Sequence, residues 1–293
     1  MSAPTVFSPA KLNLSLAVTG RRADGFHELV SLVVPVDWGD ELAVTAKPEG
    51  WTLTCDDPAV PVDGGNLVLK AAAAFASATG WRGRAHFALT KRIPMGAGLG
   101  GGSSNGAMAL VALNRLAGGP LAADALAAVA VQVGSDCALF LAGGPVIMRG
   151  RGERIEPLTA ADRARLTGRR VLIFKPAFGI ATPWAYARLA ATAGGYLPAA
   201  EAEARLAAWR RNPAARPEDL LHNSLTAPVG GKFPALPALL DLLRRRFGLA
   251  CEMSGSGSAC FALLPDGAPL AEITSAIRGA WGPAAWLREA RLL

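Results

Sequence analysis

Residues 94–107 read Pro-Met-Gly-Ala-Gly-Leu-Gly-Gly-Gly-Ser-Ser-Asn-Gly-Ala, a glycine run that passes into hydroxyl residues and then into an apolar helical stretch. Backbone N–H groups left open by glycine, followed by the positive end of a helix dipole, make a site for a polyphosphate. Glycine serves twice here: the loop must reach positive φ, and a Cβ would keep phosphate oxygens off the backbone. A flexible linker is the plain alternative. Linkers, however, are rarely bounded by a patterned strand on one side and an alanine-rich helix on the other, as this run is. Missing pieces narrow the choice. A Walker A loop ends in Gly-Lys-Ser/Thr, whereas Gly102 is followed by Ser103 and Ser104. The spacing Gly96-x-Gly98-x-x-Gly101 fits the dinucleotide fingerprint, but residues 120–133 form a second helical pattern where that fingerprint needs a strand ending in an acid. A nicotinamide or flavin site is not expected.

Outward from the loop, the pattern predicts strands at 12–18, 29–36, 41–47, 51–54 and 84–90, and helices at 67–79, 103–117 and 121–133. A strand at 145–149 leads into a basic, irregular stretch. Beyond about residue 160 the pattern predicts a strand at 170–175 and a helix from Trp184. An amphipathic helix near 199–211 and a Leu-rich helix at 236–247 follow, then a Gly/Ser loop at 254–258, a strand at 259–264 and a helix from Leu270. Strands and helices do not alternate regularly, so the expected class is α+β. The length of 293 residues and the change of texture suggest two domains, 1–160 and 161–293, with the boundary near 155–168.

Composition excludes several classes. No uncharged apolar run is long enough to span a bilayer, and the N-terminus lacks a basic region followed by an apolar core, so a cytoplasmic protein with no membrane partner is expected. The four cysteines are scattered without a C-x-x-C pair and read as core residues in a reducing compartment. Three distant histidines give no metal pattern. The net charge of +7 comes mainly from arginines in the second half, without interleaved aromatics, and some of them end a helical pattern as dipole compensation. Nucleic acid is not an expected partner.

Two further segments carry chemistry. In Pro9-Ala10-Lys11-Leu12-Asn13-Leu14 an extended backbone aims Lys11 and Asn13 to one face and the leucines to the other. A lone lysine at a strand start is usually solvated; here the alternation pairs it with an amide. In Gly134-Ser135-Asp136-Cys137-Ala138-Leu139-Phe140, Asp136 reads as a turn or N-cap residue, or as a proton acceptor if it faces the phosphate loop.

Three segments together, 9–14, 94–107 and the loop Ser254-Gly255-Ser256-Gly257, resemble the motifs of the GHMP small-molecule kinases. Within that superfamily, Thr19-Gly20-Arg21-Arg22-Ala23-Asp24-Gly25-Phe26-His27-Glu28-Leu29 resembles the signature of the 4-diphosphocytidyl-2-C-methyl-D-erythritol kinases, as does Gly98-Leu99-Gly100-Gly101-Gly102-Ser103-Ser104-Asn105. The resemblance implies a two-domain fold, ribosomal protein S5 domain 2-like at the N-terminus and ferredoxin-like at the C-terminus. It also implies ATP-dependent phosphorylation of the 2-hydroxyl of the cytidylyl substrate in the non-mevalonate route to isoprenoid precursors. Another GHMP kinase acting on a small alcohol or sugar is the alternative. By the same resemblance Lys11 and Asp136 are catalytic. The nucleotide would be held by Asn66, Lys91, Pro94, Met95, Gly96, Ala97, Gly98, Leu99, Gly100, Gly101, Gly102, Ser103 and Ser104, with Ser103 or Ser104 helping to hold Mg²⁺. The substrate would be held by Asn13, Phe26, His27, Thr182, Tyr186, Gly255, Ser256 and Gly257. A monomer or weak homodimer is expected. The chain departs from the family pattern at Phe26, where tyrosine is usual, at Cys137-Ala138, where Val-Pro is usual, and at Ser224, where aspartate is common.

Overall fold

A computed structural model describes residues 5–293. In chain order its elements are β1 (Thr5–Arg21), β2 (His27–Lys47), β3 (Thr52–Cys55), α1 (Leu67–Thr79), β4 (Arg84–Thr90), α2 (Gly101–Leu116), α3 (Ala123–Val133), β5 (Val146–Gly150), β6 (Arg154–Pro157) and α4 (Ala160–Ala164). There follow β7 (Arg170–Lys175), α5 (Thr182–Ala190), α6 (Ala199–Arg211), β8 (His222–Asn223), α7 (Thr226–Gly230), α8 (Ala235–Phe247), β9 (Ala250–Met253), β10 (Cys260–Leu263), α9 (Leu270–Trp281) and β11 (Trp286–Arg291). They form two compact units, each discontinuous in sequence. The first holds residues 5–10, 38–95 and 100–143; the second holds Lys11–Asp37, Gly96–Leu99 and Gly144–Leu293. β1 and β2 contribute residues to both.

In the first unit β4 pairs antiparallel with residues 41–47 of β2 and parallel with β3. Alternate residues Leu42, Val44, Phe87 and Leu89 are buried, as a one-sided sheet requires. Helices α1, α2 and α3 pack on one another through small residues such as Ala71, Ala72, Ala109 and Ala130, which are fully buried. Helix α1 is capped by the Asn66 side chain, which accepts the Val68 N–H, and is closed by Gly80 in the left-handed conformation. Helix α2 starts two residues before the expected 103, inside the glycine run, behind Gly100 at φ 73°. Any Cβ on Gly101 would lie 2.9 Å from the Lys91 ammonium nitrogen.

One expectation is corrected here. Segments 29–36 and 41–47 are not two strands but one, β2, running through Asp37-Trp38-Gly39-Asp40. Polar residues and a glycine at this point look like a turn in sequence. In the fold Gly39 is opposite the β1 backbone so closely that a Cβ would sit 2.1 Å from the Ser8 carbonyl oxygen, and Asp40 is fully buried among donors.

In the second unit residues 29–33 of β2 pair antiparallel with β5, which pairs with β6, while β8 lies parallel to β1 at Ser15 and Leu16. A separate four-stranded antiparallel sheet has the order β11-β7-β10-β9. Its strands are connected as β-α-β-β-α-β, the ferredoxin-like path, with α8 and α9 packed together. The core there is Ile173, Phe174, Phe261, Leu240, Leu243, Ile273 and Ile277. The expected α+β class is thus the observed one. Arg244, Arg245 and Arg246 occupy the last turn of α8, ahead of Gly248, where cations offset the helix dipole. Among the described residues no helix is long and apolar enough to cross a membrane.

Candidate active site

Lys11 begins the second unit's share of β1, and its side chain is only 5% exposed. Its Nζ donates to Asn13 Oδ1 at 2.6 Å and to the Gly98 carbonyl at 2.8 Å. The strand holds the segment 96–99 directly: Lys11 N–H donates to the Leu99 carbonyl, and on the other side Ala259 N–H donates to the Ala97 carbonyl. Ala97 and Leu99 are buried, so the glycine run is anchored by its apolar members. Gly98 cannot be replaced there, because it has φ 76° and a Cβ would lie 2.2 Å from the Ser254 carbonyl oxygen. Ser254 donates its hydroxyl to the Gly98 carbonyl at 3.1 Å and accepts the Asn13 N–H at 3.3 Å. Gly255 comes so close that a Cβ would be 3.2 Å from Lys11 Nζ. The second unit therefore brings together Lys11, Asn13, Gly98 and the loop 254–257, four of the features singled out in sequence. Asn223 pins that loop, donating from Nδ2 to the Met253 and Gly255 carbonyls, each at 2.8 Å.

The first unit has its own buried polar network beneath the start of α2. Asp40 accepts the backbone N–H groups of Arg92 and Ile93 on Oδ1, and the Lys91 ammonium and Asn105 Nδ2 on Oδ2. Asn105 also donates to Ser8, and Ser8 donates to Ser104 at 2.8 Å. Sequence reasoning missed Asp40 and Ser8, because single polar residues inside strands have no diagnostic spacing. The network separates the two candidate serines. Ser104 is fully buried with its oxygen taken by Ser8, whereas Ser103 is half-buried and reaches the Cys137 thiol. Asn66, besides capping α1, donates Nδ2 to the Pro61 carbonyl at 2.7 Å. Pro94 is half-buried and Met95 is 45% exposed. Gly96, at φ 61°, and Gly102 are exposed.

Asp136 is half-buried in the first unit, between α3 and a buried 3-10 turn at Ala138–Leu141. That turn forms without the family's proline, held by Cys137 N–H on the Gly134 carbonyl and Phe140 N–H on the Cys137 carbonyl. Burial, and then the neighbouring Asp136 carboxylate, push the Cys137 thiol up to about 12, so it stays protonated and unreactive at neutral pH.

On the second unit's hairpin, Phe26 is 52% exposed with the Arg151 guanidinium 5.1 Å from its ring centre. The hairpin is held by Arg22 on Asp24 and Glu28, and by Arg154 on Glu28. His27 lies 4.9 Å from the Tyr186 ring and 6.0 Å from the Tyr196 ring, centre to centre. Its Nε2 is buried with no hydrogen-bond partner among the described residues, and burial, then Arg21, hold the imidazole below its ordinary value. The ring therefore favours its neutral form at pH 7, in which one nitrogen donates and the other accepts. Thr182, at the start of α5, shares a hydrogen bond of 2.8 Å with Ser256. Gly257, at φ 80°, packs against Met253 and Ile180. Ser224 accepts the Val18 N–H at 3.1 Å, so its hydroxyl has a structural task. Arg151 and Tyr196 had no motif to announce them.

Residues 66–144 match the family described as GHMP kinases N terminal domain, and residues 205–283 match GHMP kinases C terminal. The 4-diphosphocytidyl-2-C-methyl-D-erythritol kinase of Synechococcus sp. (strain CC9311) is 39% identical over 89% of this chain and 86% of that relative. The enzyme of that name from Methylacidiphilum infernorum (isolate V4) is 35% identical over 96% of this chain and 94% of its own. A crystal structure of 4-(cytidine 5'-diphospho)-2C-methyl-D-erythritol kinase matches with a TM-score of 0.76 and 35% identity, over 98% of this chain and 99% of that one. The Methanococcus jannaschii mevalonate kinase, at 14% identity and a TM-score of 0.74, shares the fold. With identity of this level along nearly its whole length, the chain belongs to the 4-diphosphocytidyl-2-C-methyl-D-erythritol kinase family of the GHMP kinases.

Proposed function

We infer that the chain transfers the γ-phosphoryl group of ATP to the 2-hydroxyl of 4-diphosphocytidyl-2-C-methyl-D-erythritol, the activity its relatives are named for. The hydroxyl oxygen forms a bond to the γ-phosphorus, the bond to the β,γ-bridging oxygen breaks, and ADP leaves. Phosphoryl transfer asks a protein for positioning and charge stabilisation more than for covalent chemistry. The observation that carries the reading is the Lys11 ammonium, fixed by Asn13 and the Gly98 carbonyl at the glycine run. We assign Lys11 to neutralise charge on the transferred phosphoryl and Asp136 to take the hydroxyl proton. The glycine run, with Asn66, Lys91, Pro94 and Met95, is assigned to ATP.

Of the two serines, Ser103 fits a role at Mg²⁺, because the Ser104 oxygen already accepts from Ser8 and is fully buried. Bound with ATP, the ion would neutralise phosphate charge. Phe26 and Arg151 form a face for the cytosine ring, and the unpartnered His27 Nε2 supports hydrogen bonding to its edge. Thr182, Tyr186 and the loop 255–257 are assigned to the same substrate. The segments 1–160 and 161–293 are read as nucleotide-side and substrate-side, in a cytoplasmic monomer or weak homodimer.

One coupled assay tests the substrate: ADP release with the cytidylyl substrate, with mevalonate, and with no acceptor. Release with the first alone is expected; equal release with mevalonate would overturn the assignment. Asp136→Asn is expected to lower kcat by about 10²–10⁴-fold while the fold is kept. Near-normal turnover would remove Asp136 from the role of base.

A further inference from the structure

An amide side chain has two ends of nearly equal shape, and only one of them can face an ammonium group. Asn13 presents Oδ1 to Lys11 Nζ at 2.6 Å and Nδ2 to Ser31 Oγ at 2.9 Å. What sets this direction is the single proton on Ser31. The Ser15 carbonyl oxygen lies 2.6 Å from Ser31 Oγ and has only lone pairs to offer, so the serine proton goes there. Ser31 can then only accept from Asn13, and the amide must turn its NH₂ toward it. A flipped amide would place N–H against the Lys11 ammonium and oxygen against the Ser31 lone pairs, two repulsive contacts. All three side chains are buried: Lys11 is 5% exposed, Asn13 6% and Ser31 1%. A misdirected polar group in such surroundings is costly. The second acceptor on Lys11, the Gly98 carbonyl, is backbone and is itself tied to Ser254. Asn13 is thus one of the groups that direct the ammonium, and the direction of Asn13 in turn depends on Ser31.

We propose that Ser31, on β2, is a positioning residue for phosphoryl transfer. By donating its one proton to the Ser15 carbonyl it fixes the Asn13 amide with its oxygen toward Lys11, and so aims the ammonium. The proposal rests on the assignment of Lys11 to the transferred phosphoryl. It makes Ser31 part of the turnover machinery although it touches neither substrate.

The test is a pair of variants of matched shape. Ser31→Thr keeps the hydroxyl; Ser31→Val has the same outline without it. Ser31→Val is expected to lower kcat about tenfold or more, with KM for ATP and for the cytidylyl substrate changed by less than about twofold. Ser31→Thr is expected to retain most of the parent kcat. In an Asn13→Ala background Ser31→Val should have no further effect beyond about twofold, because its route of action is already gone. Equal losses for Thr and Val would mean that packing, not the proton, matters, and would overturn the proposal. So would an undiminished kcat in Ser31→Val, or an undiminished effect in the Asn13→Ala background. Ser31→Ala, which cannot overpack the site, serves in the same comparison if the Val variant does not fold. Lys11→Met separates the two levels. If it abolishes turnover while Ser31→Val is silent, only the Ser31 proposal fails; if it retains turnover, the assignment beneath it fails as well.

Discussion

Lys91 and Lys11 both bury their side chains beside a part of the glycine run, yet the partners that hold them within their own units differ in kind. The Lys91 ammonium faces the fully buried carboxylate of Asp40, which also holds the Arg92 and Ile93 amides. Within its unit, Lys11 is held by an amide oxygen and a backbone carbonyl oxygen. A carboxylate cancels an ammonium charge, whereas a carbonyl dipole chiefly orients it. The same residue type is thus clamped by a carboxylate in one unit and held by carbonyl dipoles in the other. On the proposed assignments, the first lysine builds the glycine loop and the second acts on the transferred phosphoryl group.

Three substitutions would break or sharpen this contrast. The largest effect is expected for Lys11→Met, with kcat lowered by about a thousandfold and a smaller loss of thermal midpoint than Lys91→Met causes, measured by single-turnover kinetics beside a melt. Lys91→Met should act mainly on stability, with any kinetic loss falling on KM for ATP. Removing one partner of a buried pair leaves Asp40 uncompensated and is expected to cost about 3–5 kcal/mol of stability, read from urea unfolding. Unchanged stability with only a raised KM for ATP would show that Lys91, too, works chiefly on the nucleotide. The smallest effect is expected at Glu252, a buried acid whose carboxylate is 3.8 Å from the partly exposed Arg244. Burial pushes it above its ordinary value, against the Thr226 hydroxyl and the Met253 N–H that donate to it. The folded protein therefore holds this proton more tightly than the unfolded chain. Its contribution is full below the ordinary 4.5 and is lost as pH rises through the raised folded value. Glu252→Gln keeps the acceptor oxygen without the charge. Its melting point should match the parent near pH 4.5 and exceed it by about 2 °C at pH 8.

The readable parts of the sequence were those in which chemistry repeats at short range. Lys11 and Asn13 share a strand face, and the glycine runs announce backbone that must approach other backbone. Asp40 and Ser31 are different. Each is one polar residue in an apolar or turn-like setting, and its meaning lies in partners far along the chain; Asn105 is 65 positions from Asp40. Strands β6, β8 and β11 were hidden for a related reason. Arg-Ile-Glu-Pro and Trp-Leu-Arg-Glu-Ala-Arg are short and charged, and β8 has two residues, so neighbouring strands rather than local pattern make them extended. The long β2 escaped because Gly39 and Asp40 carry turn-like composition while their environment demands an extended backbone.

The interleaved path of the chain has a consequence for anyone recombining such enzymes. Phe26 and His27 are encoded near the start and Tyr186 well past the middle, yet all three belong to one compact unit in which His27 packs on Tyr186. A hybrid gene joined at any single crossover between residues 37 and 180 would take the hairpin from one parent and the tyrosine from the other. On the proposed assignment of these residues to the acceptor, acceptor preference is not a cassette that one splice can move. It has to be transplanted in at least two pieces, and libraries built from single crossovers will sample mostly mismatched halves of the same aromatic contact.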